Sequence, residues 1–269
     1  MQSHHVPARI PFGQQSEALW ALNPSGKAIV FVHGFGGAAT ATWVQFPSLL
    51  QSQASCRGYD LIFYGYDGLR MRARPSADLL IRVLDALFSD PVGLMAHSLG
   101  SLGRSSRSRN FRYREIVVVA HSLGAVVSRL ALVDAYGKRR EWAPKVKLIL
   151  FAPAHAGANI LALASLAMGV VRFFPVEALF RYHFQVLQDL GEDCQTLTQL
   201  AELTRRAIKR GARNLIAKRV IHAGQDKVVS PATFCSDPVP GFIHGVSHSA
   251  VCKPRNDFVE PLKHLLASL

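Results

Sequence analysis

The sequence predicts an α/β domain in which a mostly parallel central sheet carries helices on both faces. Three observations predict it. Short apolar runs rich in Val, Ile and Leu recur along the chain, as buried parallel strands require. Stretches with apolar residues at helical spacing stand between them. The most distinctive residues directly follow those runs, where open sheets of this class bind their ligands.

At 269 residues the chain can bury a large core, and one domain suits the length better than two small ones. Hydrophobic residues at 49% against 18% charged exclude a disordered chain. Residues 1–26 begin MQSHHVPARIPFGQQ and have no apolar core before Trp20. They read as a mobile N-terminal arm without a signal peptide, leaving the domain proper to 27–269.

The elements follow in order. Residues 28–32 form a first strand that runs into a glycine-rich turn, followed by a helix over 43–51 and a strand over 61–64. Leu79, Leu80, Val83, Leu84 and Leu87 place an amphipathic helix over 76–88. Residues 116–120 are strand-like, and 125–136 continue as a helix with little exposed face. Strands at 146–151 and 220–223 are separated by a long, mainly helical section. Within it, 158–171 are nearly all apolar, but Arg172 closes the run short of a membrane span, so no transmembrane segment is expected.

The excess of 31 Lys and Arg over 18 Asp and Glu gives a formal charge of +13, which makes an anionic partner the first to consider. Arg104, Arg107, Arg109, Arg112 and Arg114 crowd a basic insertion at about 100–114 that reads as a solvated loop. Arg205, Arg206, Lys209, Arg210 and Arg213 lie on a helix further on. Zinc-finger spacing and RNA-binding signatures are absent from the sequence, which argues against a nucleic-acid partner and leaves peripheral contact with an anionic membrane surface as the reading of the charge. Cys56, Cys194, Cys235 and Cys252 form no CxxC pair or dense framework; a reduced, cytoplasmic setting suits them, and sequence alone leaves a Cys235–Cys252 disulfide open. No metal-ligand spacing is present, and no metal is expected.

The pentapeptide AHSLG occurs twice, at 96–100 and 120–124. Each copy has the small-x-Ser-x-Gly form of a strand-to-helix elbow, in which small residues two positions either side let the chain turn sharply and expose the serine hydroxyl. Ser122 follows the β-branched run Ile116 to Val119 and precedes a sustained apolar helix, so it is the candidate nucleophile. Ser98 follows the weaker VGLM and soon meets the arginine-rich stretch, where a helix would have to bury arginines without visible partners. It reads as a turn within an inserted loop.

A serine needs a base and a site for negative charge. IVFVHGFGG at 29–37 supplies the second, with the backbone N–H groups of Phe35 and Leu123 as candidate oxyanion donors. His33 braces that turn. The base should come late, from His244, His248 or His264, with His248 preferred. VIHAGQDKVV puts Asp226 just beyond the last strand as the acid, ahead of Asp237 and Asp257. His33, Gly34, His121 and His155 are candidate residues lining the site.

These segments resemble the α/β-hydrolase superfamily, above all its lipase-like and esterase-like members: HGFGG with Trp43 shortly after, AHSLGAVVSRLAL, FAPAHAGA, AGQDKVV and then His248. The resemblance covers the chain from about Lys27 to its end. It implies the α/β-hydrolase fold, a Ser122–His248–Asp226 triad in the chain order serine, aspartate, histidine, an acyl-enzyme intermediate and no cofactor. In lipase-like enzymes a proline, histidine and glycine segment borders the site. Pro153, His155 and Gly157 resemble it, with Ala154 intervening. Ala120 departs from the commoner glycine.

The stretch ILALASLAMGVVRFFPVEALFRYHF at 160–184 occupies the place of a helical cap or lid, within a region of about 157–212, and favours a lipophilic acyl group. A core helix supporting the sheet is the competing reading. The expected activity is therefore hydrolysis of a small-molecule or lipid carboxylic ester. Thioester, amide or lactone cleavage on the same three groups is the first alternative, because the leaving atom does not change the elbow. A noncatalytic binding protein of this fold is the second, although binding needs neither acid nor base.

Overall fold

In the computed structural model, which describes residues 4–100, 107–159, 161–163, 189–191 and 194–269, eight strands join in one sheet. In chain order they are β1 (His5–Arg9), β2 (Glu17–Ala21), β3 (Lys27–Val32), β4 (Tyr59–Tyr64), β5 (Glu115–His121), β6 (Val146–Phe151), β7 (Arg219–Ala223) and β8 (Gly241–Ile243). Their spatial order is β1-β2-β4-β3-β5-β6-β7-β8. All pairings from β4 to β8 are parallel. Val30 of β3 sits between Ile62 and Val118, and all three are fully buried or nearly so, as strands covered on both faces must be.

The described helices are α1 (Phe46–Ser52), α2 (Ala73–Ser89), α3 (Pro91–Leu99), α4 (Leu123–Gly137), α5 (Gln195–Lys209) and α6 (Glu260–Leu266). The helix α2 buries Leu80, Val83, Leu84 and Leu87 and packs against α4, which in turn meets α5. Phe31 anchors an aromatic cluster between β3 and α1, with Phe63 stacked at 4.8 Å and Trp43 and Phe46 at 4.9 and 5.5 Å. Such ring pairs add about 0.5–1.5 kcal/mol each beyond area burial. No described helix is long and apolar enough to cross a membrane.

The N-terminal residues differ from the expected arm. β1 and β2 form an antiparallel pair, and β2 pairs antiparallel with β4. Trp20 is buried together with Ala18 and Ala21, so the short apolar run at residues 18–22 and a ladder of main-chain hydrogen bonds hold the segment in the sheet.

The basic insertion also differs from a wholly solvated loop. Arg107 is buried and pairs with Asp60 of β4, whose other oxygen accepts from the Tyr113 hydroxyl. Its guanidinium lies 5.4 Å from the Trp20 ring and 5.2 Å from the Phe111 ring. Arg109, Arg112 and Arg114 are exposed. The expectation that a burial here would lack partners fails because the carboxylate comes from a strand remote in sequence. The lid reading of 160–184 lies outside the described residues except for 161–163. All four cysteines are free thiols.

Candidate active site

Successive strands run to opposite sides of β3: β4 pairs with one edge and β5 with the other. The crevice left at the carboxyl ends of β3 and β5 is where a sheet of this kind offers a ligand site. His33 and Gly34 leave β3 there, and His121 and Ser122 leave β5.

Ser122 is the residue between β5 and α4, with φ 53° and ψ −121°. A left-handed φ on a residue with a side chain costs on the order of 1–3 kcal/mol and persists only where its surroundings impose it. They do. Its N–H donates to the Phe151 carbonyl at 3.0 Å, and its own carbonyl accepts from Ala154 and Ala125. A Cβ on Gly124 would stand 2.3 Å from the Val32 carbonyl oxygen, and one on Gly34 would stand 2.9 Å from the Ser122 Cβ. Both glycines are therefore required for the close approach of turn, helix start and serine. Leu123 opens α4, so its N–H has no carbonyl within the helix to bond.

The turn after β8 brings His248 over the serine. Its Nε2 lies 2.9 Å from Ser122 Oγ and its Nδ1 lies 2.8 Å from an Asp226 carboxylate oxygen. With the Nδ1–H donated to Asp226, Nε2 is left to accept the hydroxyl proton. Asp226 follows β7; its second oxygen accepts from the N–H groups of Val228 and Val229 at 2.9 and 3.0 Å. Burial pushes this carboxyl up, but the His248 hydrogen bond and charge and the two backbone donors outweigh it and hold the carboxyl below its ordinary range. The side chains of His248 and Asp226 are 4% and 3% exposed, so this pair works in a low-dielectric setting.

Two further histidines brace the site. Tyr66 N–H donates to His33 Nε2 at 3.2 Å, His33 Nδ1 donates to the Gly34 carbonyl at 2.9 Å, and the Tyr66 hydroxyl donates to the His33 carbonyl. Burial brings His33 down to about 4, so it is a neutral strut under the glycine turn. His121 Nε2 donates to the His248 carbonyl at 2.9 Å. Burial first, then the His248 charge, brings His121 to about 3. It positions the backbone of the residue above it.

A cavity of about 300 Å³ opens at these groups, lined by Gly34, Phe35, the glycine turn, Thr42, His121, Ser122, Leu163, His248, Ser249 and Lys253. Of the residues singled out in the sequence, Ser122, His248 and Asp226 are brought into one hydrogen-bonded line, with Phe35, Gly34 and His121 at the cavity. His155 is not at its wall: it is buried against the Phe234 ring at 4.4 Å, because the short turn after β6 folds inward under α4. The alternatives go elsewhere. His244 is exposed, His264 lies 3.0 Å from Arg219, Asp257 is exposed beside Arg255, and Asp237 is the buried partner of Arg129.

Ser98 is not in a turn. It lies in the last turn of α3, its hydroxyl donating to the Met95 carbonyl and accepting from Trp20 Nε1. The signal for that helix stood in the sequence as Asp90 before Pro91: the Asp90 carboxylate caps Gly93 N–H, and Pro91 takes the first helical position. Thr42, Tyr66, Ser249 and Lys253 were not foreseen, since single residues of these types carry no motif.

No family model matches the sequence, and no curated protein matches it. Solved structures do match in shape. A Bacillus licheniformis lipase, BlEst2 in mature form, aligns over 98% of both chains with TM-score 0.54 and 14% identity. The peroxisomal α/β-hydrolase Lpx1 of Saccharomyces cerevisiae covers 98% of this chain and 87% of its own, with TM-score 0.54 and 11% identity. A Rhodococcus 2-hydroxy-6-oxo-6-phenylhexa-2,4-dienoate hydrolase covers 98% and 100%, with TM-score 0.50 and 18% identity.

Proposed function

We propose that this chain, whose fold is that of the α/β-hydrolases, is a serine hydrolase of carboxylic esters. The observation that carries the reading is the strained Ser122 with its hydroxyl 2.9 Å from a histidine nitrogen that is itself oriented by a buried carboxylate. A binding site has no use for that sequence of contacts. Ser122 Oγ attacks the ester carbonyl while His248 Nε2 takes its proton. The resulting oxyanion is held by the N–H groups of Phe35 and Leu123, at the positive end of α4. His248 then gives the proton to the leaving alcohol, and an acyl group remains on Ser122. Water, activated by the same histidine, releases the acid and restores the hydroxyl. Asp226 stays ionised throughout and stabilises the imidazolium.

Phe35 and Leu163 on the cavity wall support a lipophilic acyl group. The test is covalent labelling by an uncharged fluorophosphonate, followed by turnover of 4-nitrophenyl esters of graded acyl length. Ser122→Ala should abolish labelling and Ser98→Ala should retain it, with turnover rising beyond the acetyl ester. Labelling that survives Ser122→Ala would overturn the nucleophile, and a preference for acetyl would overturn the acyl assignment.

A further inference from the structure

Among the described residues, the cavity wall carries one cation and no carboxylate: Lys253 is there, and Asp226 is shielded behind His248. Lys253 is half-buried, and its ammonium forms no ion pair with any described residue. Lys27, Lys138, Lys147 and Lys263 sit within reach of a carboxylate; what sets Lys253 apart is its place on the cavity wall. The placement of Lys253 is not loose. Residues 247–253 form a tight turn in which Ala250 and Val251 donate to the Ser247 carbonyl and Lys253 N–H donates to the Ala250 carbonyl at 3.0 Å. Val251 and Cys252 are fully buried and pin that turn. The same turn seats His248, so the backbone of base and lysine is held in one short segment. The ammonium also lies near enough to His121 to add to the depression that burial causes there.

A cation with no ionic partner among the described residues, beside a partly enclosed cavity, creates a positive potential that water screens poorly. His248 must face the leaving-group oxygen to return its proton, and Lys253 belongs to the His248 side of the wall. Phe35 and Leu163 come from other segments. We infer that Lys253 is a specificity residue that binds an anionic group, carboxylate or phosphate, on the alcohol portion of the ester. This rests on the hydrolase reading above, and it narrows the substrate to an ester with an apolar acid part and a negatively charged alcohol part.

The test uses two matched pairs: butanoyl glycerol 3-phosphate against butanoyl glycerol, and O-butanoyl glycolate against O-butanoyl glycolamide, scored by release of butanoate. Wild-type protein should prefer the charged member of at least one pair, and which pair decides between phosphate and carboxylate. Lys253→Met should lower the charged-to-neutral ratio of kcat/KM by about tenfold, the scale of one lost charge-assisted contact. Lys253→Arg should keep most of it, and added salt should erode it in the wild type. An unchanged ratio in Lys253→Met, or equal losses on both members of a pair, would overturn the assignment; the second result would put Lys253 on the tetrahedral oxyanion instead. Fluorophosphonate labelling of the wild type tests the hydrolase reading separately. Calorimetric binding of the charged esters to Ser122→Ala, with and without Lys253→Met, reads the contact without turnover, and equal affinities there would also sink it.

Discussion

His33 and His121 are held without a proton by burial, at about 4 and about 3 against an ordinary 6.5. In the unfolded chain both take up a proton near that ordinary value. Below it the unfolded state therefore binds more protons than the folded one, so stability is complete above about pH 6.5 and falls as pH drops toward the folded values. Each group contributes a slope of about 1.4 kcal/mol per pH unit within its window. Asp226 acts lower: its depressed carboxyl stabilises the fold above the ordinary value of 3.8, and that contribution is lost only as pH falls below it. His121→Gln keeps a donor for the His248 carbonyl and removes one titration. Urea unfolding followed from about pH 6 to 4 should then show a slope shallower by roughly 1 kcal/mol per pH unit. An unchanged slope would mean that His121 is not held neutral. The neutrality also serves the proposed mechanism, because a charged His121 beside His248 would oppose its imidazolium.

At the scale of elements, the two copies of AHSLG show how context decides the role of one pentapeptide. Residues 120–124 bridge a β-branched strand and an apolar helix, and the serine takes the strained angle. Residues 96–100 complete a helix begun by Asp90 and Pro91, and Gly100 with φ 56° closes it. Among the described arginines of the stretch after α3, Arg107 is the buried one that ties it down through an ion pair. Removing one partner of a buried pair costs about 3–5 kcal/mol because the other charge is left uncompensated. Arg107→Ala should destabilise the protein by that amount, read as a lowered urea midpoint. Arg109→Ala, on an exposed side chain, should change it by less than about 0.5 kcal/mol. Equal effects would show that Asp60 finds another partner. The buried pair was invisible in the sequence because Asp60 and Arg107 meet only when β4 joins the sheet.

The whole molecule is organised by the reversal of strand order at β3. That reversal opens the crevice in which residues from the turns after β3, β5, β7 and β8 meet. The opposite edge depends on β1 and β2: they cover β4, which would otherwise present unpaired main-chain groups beside a hydrophobic core. A chain lacking residues 1–24 should therefore unfold at lower temperature and aggregate, whereas a true arm could be removed without cost. Thermal denaturation and light scattering compare the two, and an unchanged midpoint would show that the hairpin is dispensable.

The sequence by itself determined the sheet-and-helix alternation and singled out the serine, histidine and aspartate that the fold brings into one hydrogen-bonded line. Those signals are local: a β-branched run, helical spacing, and residues placed just past strand ends. Seven predicted or partly predicted elements from residue 27 onward reappear with shifted ends, since caps and hydrogen-bond partners, and not apolar patterning, set where an element stops. Only the tertiary structure decided that β1 and β2 join the sheet around a buried Trp20, that Arg107 is buried, that His155 turns away from the cavity, and that Lys253 lies on its wall. The first three of those outcomes depend on a partner distant in the chain, and no periodicity within a segment encodes a partner outside it.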